Sequence, residues 1–276
     1  MEIYYINSEG RRIDLIGGNY KLMATSELFD YSWQYATKGS AMPEISSFSK
    51  KMVEKTLQIG ISAKSKEEYY TLISNLLSTI DRDIYYTTPG KLYVNGTYLR
   101  CYFIGSSKAK RYANTQRTVV DFTILCEKNE WVEERKNEFG AAADADSDVG
   151  LDYQYDYQYD FTNTIESRLL QNTGYVGSDM IMTIYGPCDA PKVTIGTSVY
   201  KVNTSLISGE YLEINTETRS IYKTMNNGTK VNLFDDRDRE NNIFSKVPEG
   251  NNMVARNGAF RFDITLLIKR SEPKWI

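Results

Sequence analysis

A chain of 276 residues, 41% hydrophobic and 25% charged, holds enough apolar material for one large or two medium domains, and two is the expectation. A formal charge of -3 leaves no basic stripe for nucleic acid or an anionic membrane, and 22 tyrosines without one histidine speak against hydrolase and metal chemistry and for extended contact surfaces. Cys101, Cys126 and Cys188 fit no C-x-x-C spacing, so buried free thiols are expected rather than a disulfide framework or a zinc site.

Met1 to Ile6 lacks the basic start and apolar core of a signal peptide, and nowhere do about eighteen apolar residues run together. Folding in a reducing cytosol is therefore expected. The first strands are predicted over 3–6 and 12–16, separated by the turn signal Ser8, Glu9 and Gly10. Tyr31, Trp33 and Tyr35 then alternate with small or polar residues, and a serine-rich stretch interrupted by Pro43 follows. The segment from Phe29 to Lys50 reads as a loop or a protruding hairpin. A strand over 53–61 places Leu57, Ile59 and Ile61 on a common face.

Ser65 and Glu68 have the spacing of a capping box, and Tyr69, Leu72, Ile73, Leu76, Leu77 and Ile80 follow at helical spacing. This predicts a helix that ends near Asp81. Further strands are predicted over 84–88, 91–94, 98–104 and 118–126, with Asn95 and Gly96 supplying a type I′ turn. Eight of the twelve residues from Glu127 to Glu138 are charged, and Gly140 to Gly150 is a run of alanine, aspartate, serine, valine and glycine. A domain boundary is placed here, giving domains 1–138 and 139–276.

Beyond it, Tyr153, Tyr155, Tyr157, Tyr159 and Phe161 alternate with Asp152, Gln154, Asp156, Gln158 and Asp160, which predicts a strand with one aromatic face. That face suits packing or, alternatively, a sugar platform. More short strands are predicted over 180–185, 192–195, 198–202, 211–215, 220–223, 231–234 and 260–268. Gly186 with Pro187, Asn227 with Gly228 and Asn257 with Gly258 mark turns between them. The class is mainly β: an α+β first domain of antiparallel strands and one helix, then a β-sandwich or jelly roll.

No catalytic, metal or cofactor site is assigned. Asp144, Asp146 and Asp148 have the opening spacing of a calcium loop, but Val149 replaces its turn glycine and Tyr155 its closing glutamate, so a solvated acidic linker is the reading. Asp235, Asp236, Asp238 and Glu240 are interleaved with Arg237 and Arg239. These cations favour ionised carboxylates, the opposite of what a glycosidase acid requires. Asn95, Asn203 and Asn227 open N-x-[ST] sequons that a cytosolic chain would not use.

The stretch from Gly209 to Val254 carries a strand at 211–214, a short strand at 220–223, the Asn227-Gly228 hairpin and Asn232, Leu233 and Phe234. Ile243, Phe244, Lys246, Val247, Pro248, Glu249, Gly250 and Asn251 follow before a last alternating strand. That order resembles the C-terminal domain of siphophage distal tail (Dit) proteins. The first half is similar to their N-terminal domain: short strands, one amphipathic helix, hairpins, then a closing strand at 121–125 and Trp131.

The resemblance implies a non-enzymatic tail adaptor without cofactors, located in the virion at the distal end of the tail and made in the host cytoplasm. It implies a homo-hexameric ring closed by β-sandwich-like N-terminal domains, a protruding hairpin reaching the next subunit, and outward galectin-like β-sandwiches. Implied partners are the tail tube protein, the tail-associated tip or lysin protein and a receptor-binding protein. The galectin sugar site depends on a histidine, which this chain lacks, so a galectin-like fold does not imply galactoside binding. A cell-wall carbohydrate-binding protein is the alternative function.

Overall fold

The structure, a computed structural model, describes residues 1–23, 27–40, 42–111, 117–140 and 168–275. The predicted aromatic strand 152–161 and the triad Asp144, Asp146 and Asp148 lie outside the described residues. The chain divides into two compact units, Met1–Glu133 with Lys269–Ile276, and Glu134–Ile268. The fold is mainly β with a single α-helix among the described residues.

In chain order the strands of the first half are β1 (Ile3–Ile6), β2 (Arg12–Asp14), β3 (Tyr20–Leu22), β4 (Gln34–Lys38), β5 (Glu44–Ser49) and β6 (Val53–Ser62). The helix α1 (Lys66–Tyr85) follows, then β7 (Gly90–Val94), β8 (Thr97–Arg111), β9 (Arg117–Cys126) and β10 (Trp131–Phe139). Strand β8 serves two ladders: its first residues pair with β7 and β10, and those from Tyr102 onward pair with β9. Outside these, β7 leads to β1 and β2, and β9 leads to β6 and β3, all antiparallel.

Alternation in β6 and β9 turns Leu57, Ile59, Ile61, Val120, Phe122 and Ile124 inward, where α1 covers them with Tyr69, Leu76 and Ile80. The expected end of β8 at Ile104 is corrected, because the strand continues to Arg111 through bulges after Phe103 and Ser107. A bulge breaks the two-residue period, so alternation is not visible in the sequence beyond it.

The helix begins as predicted, with Ser65 Oγ accepting from Glu68 N at 3.1 Å, while Glu68 Oε2 reaches back to Lys64 N at 2.6 Å. Its end is a correction: it runs to Tyr85, and the strand expected over 84–88 does not form. Buried Asp83 holds the last turn by accepting from the Tyr5 hydroxyl and from Ser8 N, 2.8 Å away. Gly90 leaves the space for this, since a β-carbon there would overlap the Tyr5 hydroxyl.

Past the helix, Thr88 N donates to Asp83 O at 3.0 Å and Thr87 N to Ile84 O at 3.1 Å, a Schellman closure in which Thr87 takes the left-handed position at φ 51°. A β-branched residue is strained there. Replacing Thr87 by glycine is expected to stabilise the protein by about 1 kcal/mol, read as a higher urea midpoint.

The second half contains β11 (Arg168–Asn172), β12 (Asp179–Tyr185), β13 (Cys188–Asp189), β14 (Lys192–Ile195), β15 (Ser198–Lys201), β16 (Ser205–Leu206), β17 (Tyr211–Asn215), β18 (Ser220–Thr224) and β19 (Lys230–Asn232). A 3-10 turn at Phe234–Asp236, β20 (Gly250–Arg256) and β21 (Phe262–Arg270) complete it. One antiparallel sheet runs β19-β18-β17-β12-β21, and a second runs β11-β20-β14-β15. They form a sandwich around one core: Met180, Met182, Leu212, Ile214, Ile221, Phe262, Ile264 and Leu266 meet Leu170, Val193, Ile195, Tyr200 and Val254.

Buried amides pin the long segment before β20. Asn172 Nδ2 donates to Val247 O at 2.9 Å and Pro248 O at 3.1 Å, Asn252 Nδ2 donates to Pro248 O at 2.9 Å, and the Tyr200 hydroxyl donates to Ser245 O at 2.9 Å.

Candidate interaction surfaces

The segment from Phe29 to Lys50 contains a two-stranded hairpin, β4 with β5, that no third strand joins among the described residues. Every residue of both strands is exposed. Tyr35 and Phe48 stand opposite each other at 68% and 60% exposure, and Met42 near the tip is 86% exposed. An isolated two-stranded hairpin is marginal in water, and unpaired edges beside aromatic residues form an adhesive surface. The hairpin is thus shaped to be covered.

Its base is fixed where its tip is free. Lys55 lies on the inward face of β6, two residues before Leu57, and its Nζ donates to the carbonyls of Glu27 at 3.1 Å, Leu28 at 2.9 Å and Asp30 at 2.5 Å. Burial pulls this ammonium below its ordinary range, while Cys126, Asp30 and Glu27 favour the charged form. Asn129 Nδ2 adds a bond to Asp30 O at 3.2 Å, and Phe29 packs on Trp131 and Trp275 at centroid distances of 6.2 and 4.9 Å. Just after the returning strand, Lys50 Nζ donates to Ser271 Oγ at 3.0 Å and sits 4.6 Å from the Trp33 ring centroid. Sequence reading did not single out Lys55, although the alternation that places Leu57, Ile59 and Ile61 inward places Lys55 inward as well.

A second concave surface, of about 910 Å³, lies between the β2–β3 turn and α1, lined by Arg11, Arg12, Tyr20, Leu72, Asn75 and Ser78 among others. Arg12 is already committed to Asp14 and Glu2 at 2.7 and 2.9 Å.

In the second unit the outward face of the four-stranded sheet carries Leu169 opposite Met253, at 63% and 60% exposure, followed by Ala255, Thr194 and Val199. No aromatic ring stands on it among the described residues. On the other sheet the Tyr185 hydroxyl donates to Asp263 at 2.9 Å, and Lys136 holds the same carboxylate at 3.0 Å. Both contacts fall on Asp263 Oδ2.

The acidic run separates rather than converges. Asp235 and Asp236 lie on the 3-10 turn, and the side chain of Asp238 accepts from Asn241 Nδ2 at 2.8 Å and Glu240 N at 3.2 Å, bonds that hold its carboxyl below the usual range. Asn95 is occupied as well, accepting from Glu2 N at 3.0 Å and donating to Lys274 O at 3.1 Å.

Cys101 and Cys126 are buried and unbridged, while Cys188 is half-buried. Burial raises the Cys126 thiol from 9.0 to about 12 and the Tyr200 phenol from 10.0 to about 12. Folded protein keeps these protons where the unfolded chain loses them, so their stabilisation is complete below pH 9 and is lost as pH rises toward 12. The unfolding free energy from urea denaturation is expected to fall by up to roughly 1.4 kcal/mol per pH unit for each group, from pH 9 for Cys126 and from pH 10 for Tyr200. Tyrosine absorbance followed through the same titration would report the phenols.

No protein-family profile matches the chain, and no curated protein matches it in sequence. Solved structures do match in fold. The Dit protein of phage SPP1, described as a paradigm of the hub adsorption apparatus in phages infecting Gram-positive hosts, superposes with a TM-score of 0.61 at 11% identity, over 98% of both chains. A chain of the phage P2 baseplate in its activated conformation with calcium gives 0.66 at 13% identity, covering 98% of each chain. The corresponding strontium structure gives 0.65 at 13% identity, covering 98% of this chain and 99% of that one.

Proposed function

We propose that this chain, whose fold is that of the siphophage distal tail proteins, is a structural adaptor of a phage tail. The observation that carries the proposal is the full-length likeness in both directions, which spans both units rather than one widespread sandwich module. In this reading six copies close a homo-hexameric ring through the first unit, and the exposed hairpin is the arm that each copy lays on the next. A head-to-tail interface whose rotation closes produces such a ring, and an aromatic arm with unpaired edges suits that interface.

One ring face meets the tail tube protein and the other the tail-associated tip or lysin protein, while a receptor-binding component docks at the galectin-like second unit. The chain performs no catalysis in this role. It is made in the host cytoplasm and resides in the virion at the distal end of the tail. Gold-labelled antibody raised against the chain is expected to mark the end of intact tails remote from the head. Unlabelled tails, with the antigen only in the host cell lysate, would contradict it.

A further inference from the structure

Both strands of the hairpin are exposed along their length, but the segments that join it to the first unit carry fixed contacts. A free arm loses conformational entropy when it is ordered at an interface, whereas an arm already fixed in its bound direction does not. Here the base is held from both sides by cations. The Lys55 ammonium closes a cage of three backbone carbonyls, those of Glu27, Leu28 and Asp30, just before the outgoing strand. Lys50, just after the returning strand, bonds Ser271 and lies against the Trp33 ring of the outgoing segment. Phe29, between these pins, is packed against Trp131 and Trp275.

A lysine at 3% exposure is unusual, and apolar residues on the same strand face would serve packing alone. What a buried ammonium supplies is several directed bonds at once to a segment that is neither helix nor strand.

We infer that Lys55 and Lys50 are positioning residues for assembly: they set the direction in which the hairpin leaves the first unit, so that it reaches a second copy of this chain already ordered. This rests on the reading of the hairpin as the ring-closing arm. A packing role alone would lower stability without changing the concentration at which copies associate, so the two roles separate experimentally.

The test uses full-length protein carrying Lys55→Met or Lys50→Ala. Three quantities are read: the melting temperature, the concentration at half-assembly by light scattering, and limited proteolysis of residues 27–50 below that concentration. Lys55→Met is expected to keep a cooperative melt, to raise the assembly concentration about tenfold or more and to open the hairpin base to protease. Lys50→Ala, which loses one bond and one ring contact, is expected to act in the same direction but less. Assembly at the parent concentration with unchanged cleavage in both variants would overturn the inference.

If Lys55→Met does not fold, Lys50→Ala decides by the same criteria. Absence of rings from the unaltered chain would instead sink the adaptor reading. Cleavage at the hairpin base would then decide alone whether the lysines order it, unchanged cleavage overturning the inference.

Discussion

A chain carrying Tyr35→Ser and Phe48→Ser is expected to melt within a few degrees of the parent and to remain monomeric at concentrations where the proposed ring of the parent assembles. Both side chains are mostly exposed, so the isolated subunit loses the cross-strand pairing of Tyr35 with Phe48 and the edge contact of Phe48 with Trp33, about 1 kcal/mol. At an interface the same rings are the residue type that dominates binding. Truncating such anchors removes about 2 kcal/mol or more each, roughly a thirtyfold loss of affinity per residue. In the proposed ring every contact repeats the same arm, so the loss would recur at each interface. Light scattering across a concentration series reads the assembly and thermal melting reads the fold. Rings at the parent concentration would remove the hairpin from the interface.

Trp131→Ala is expected to have the largest effect on stability, a loss of about 3–5 kcal/mol in the first unit. Trp131 is 0% exposed, pairs with Leu99 at the start of β10 and packs on Phe29. Its removal leaves a gap beside Leu99 on β8 and Phe29 in the segment before β4, and close packing restricts collapse around it. Urea unfolding measures the loss, with Tyr70→Ala on the exposed face of α1 as a control expected within about 0.5 kcal/mol. A loss below about 1 kcal/mol for Trp131→Ala would mean that the core relaxes around it.

Much of the fold was legible because it follows periodicity. Leu57, Ile59 and Ile61 alternate into the core, and Ser65 and Glu68 set the start of α1. Asn95 and Gly96 both take positive φ, as a type I′ turn demands. The alternating aromatic residues before the Pro43 segment lie where the exposed hairpin forms.

The failures are equally specific. The end of α1 was hidden because Asp81, Arg82 and Asp83 resemble a polar stop, whereas Asp83 is buried against Tyr5, and because threonine occupies the position where glycine would signal a C-terminus. Strand β10 was read as part of a charged boundary, since charged residues stand on both of its faces between Trp131 and Phe139, Glu133 pairing with Arg270 at 3.2 Å and Lys136 with Asp263 at 3.0 Å. Strand β20 was missed because its inward positions include Asn252, a buried amide in a stretch that reads as a polar turn.

Of the candidate site, the exposed arm could be found from composition and alternation. The carbonyl cage that holds its base could not, because its partners are backbone oxygens of residues 27–30, and main-chain acceptors leave no trace in side-chain chemistry.

The most direct measurement is negative-stain imaging of the purified chain with mass determination at micromolar concentration. The account predicts six-fold rings of six 31.7 kDa copies, about 190 kDa. A strict 31.7 kDa monomer without rings would contradict it.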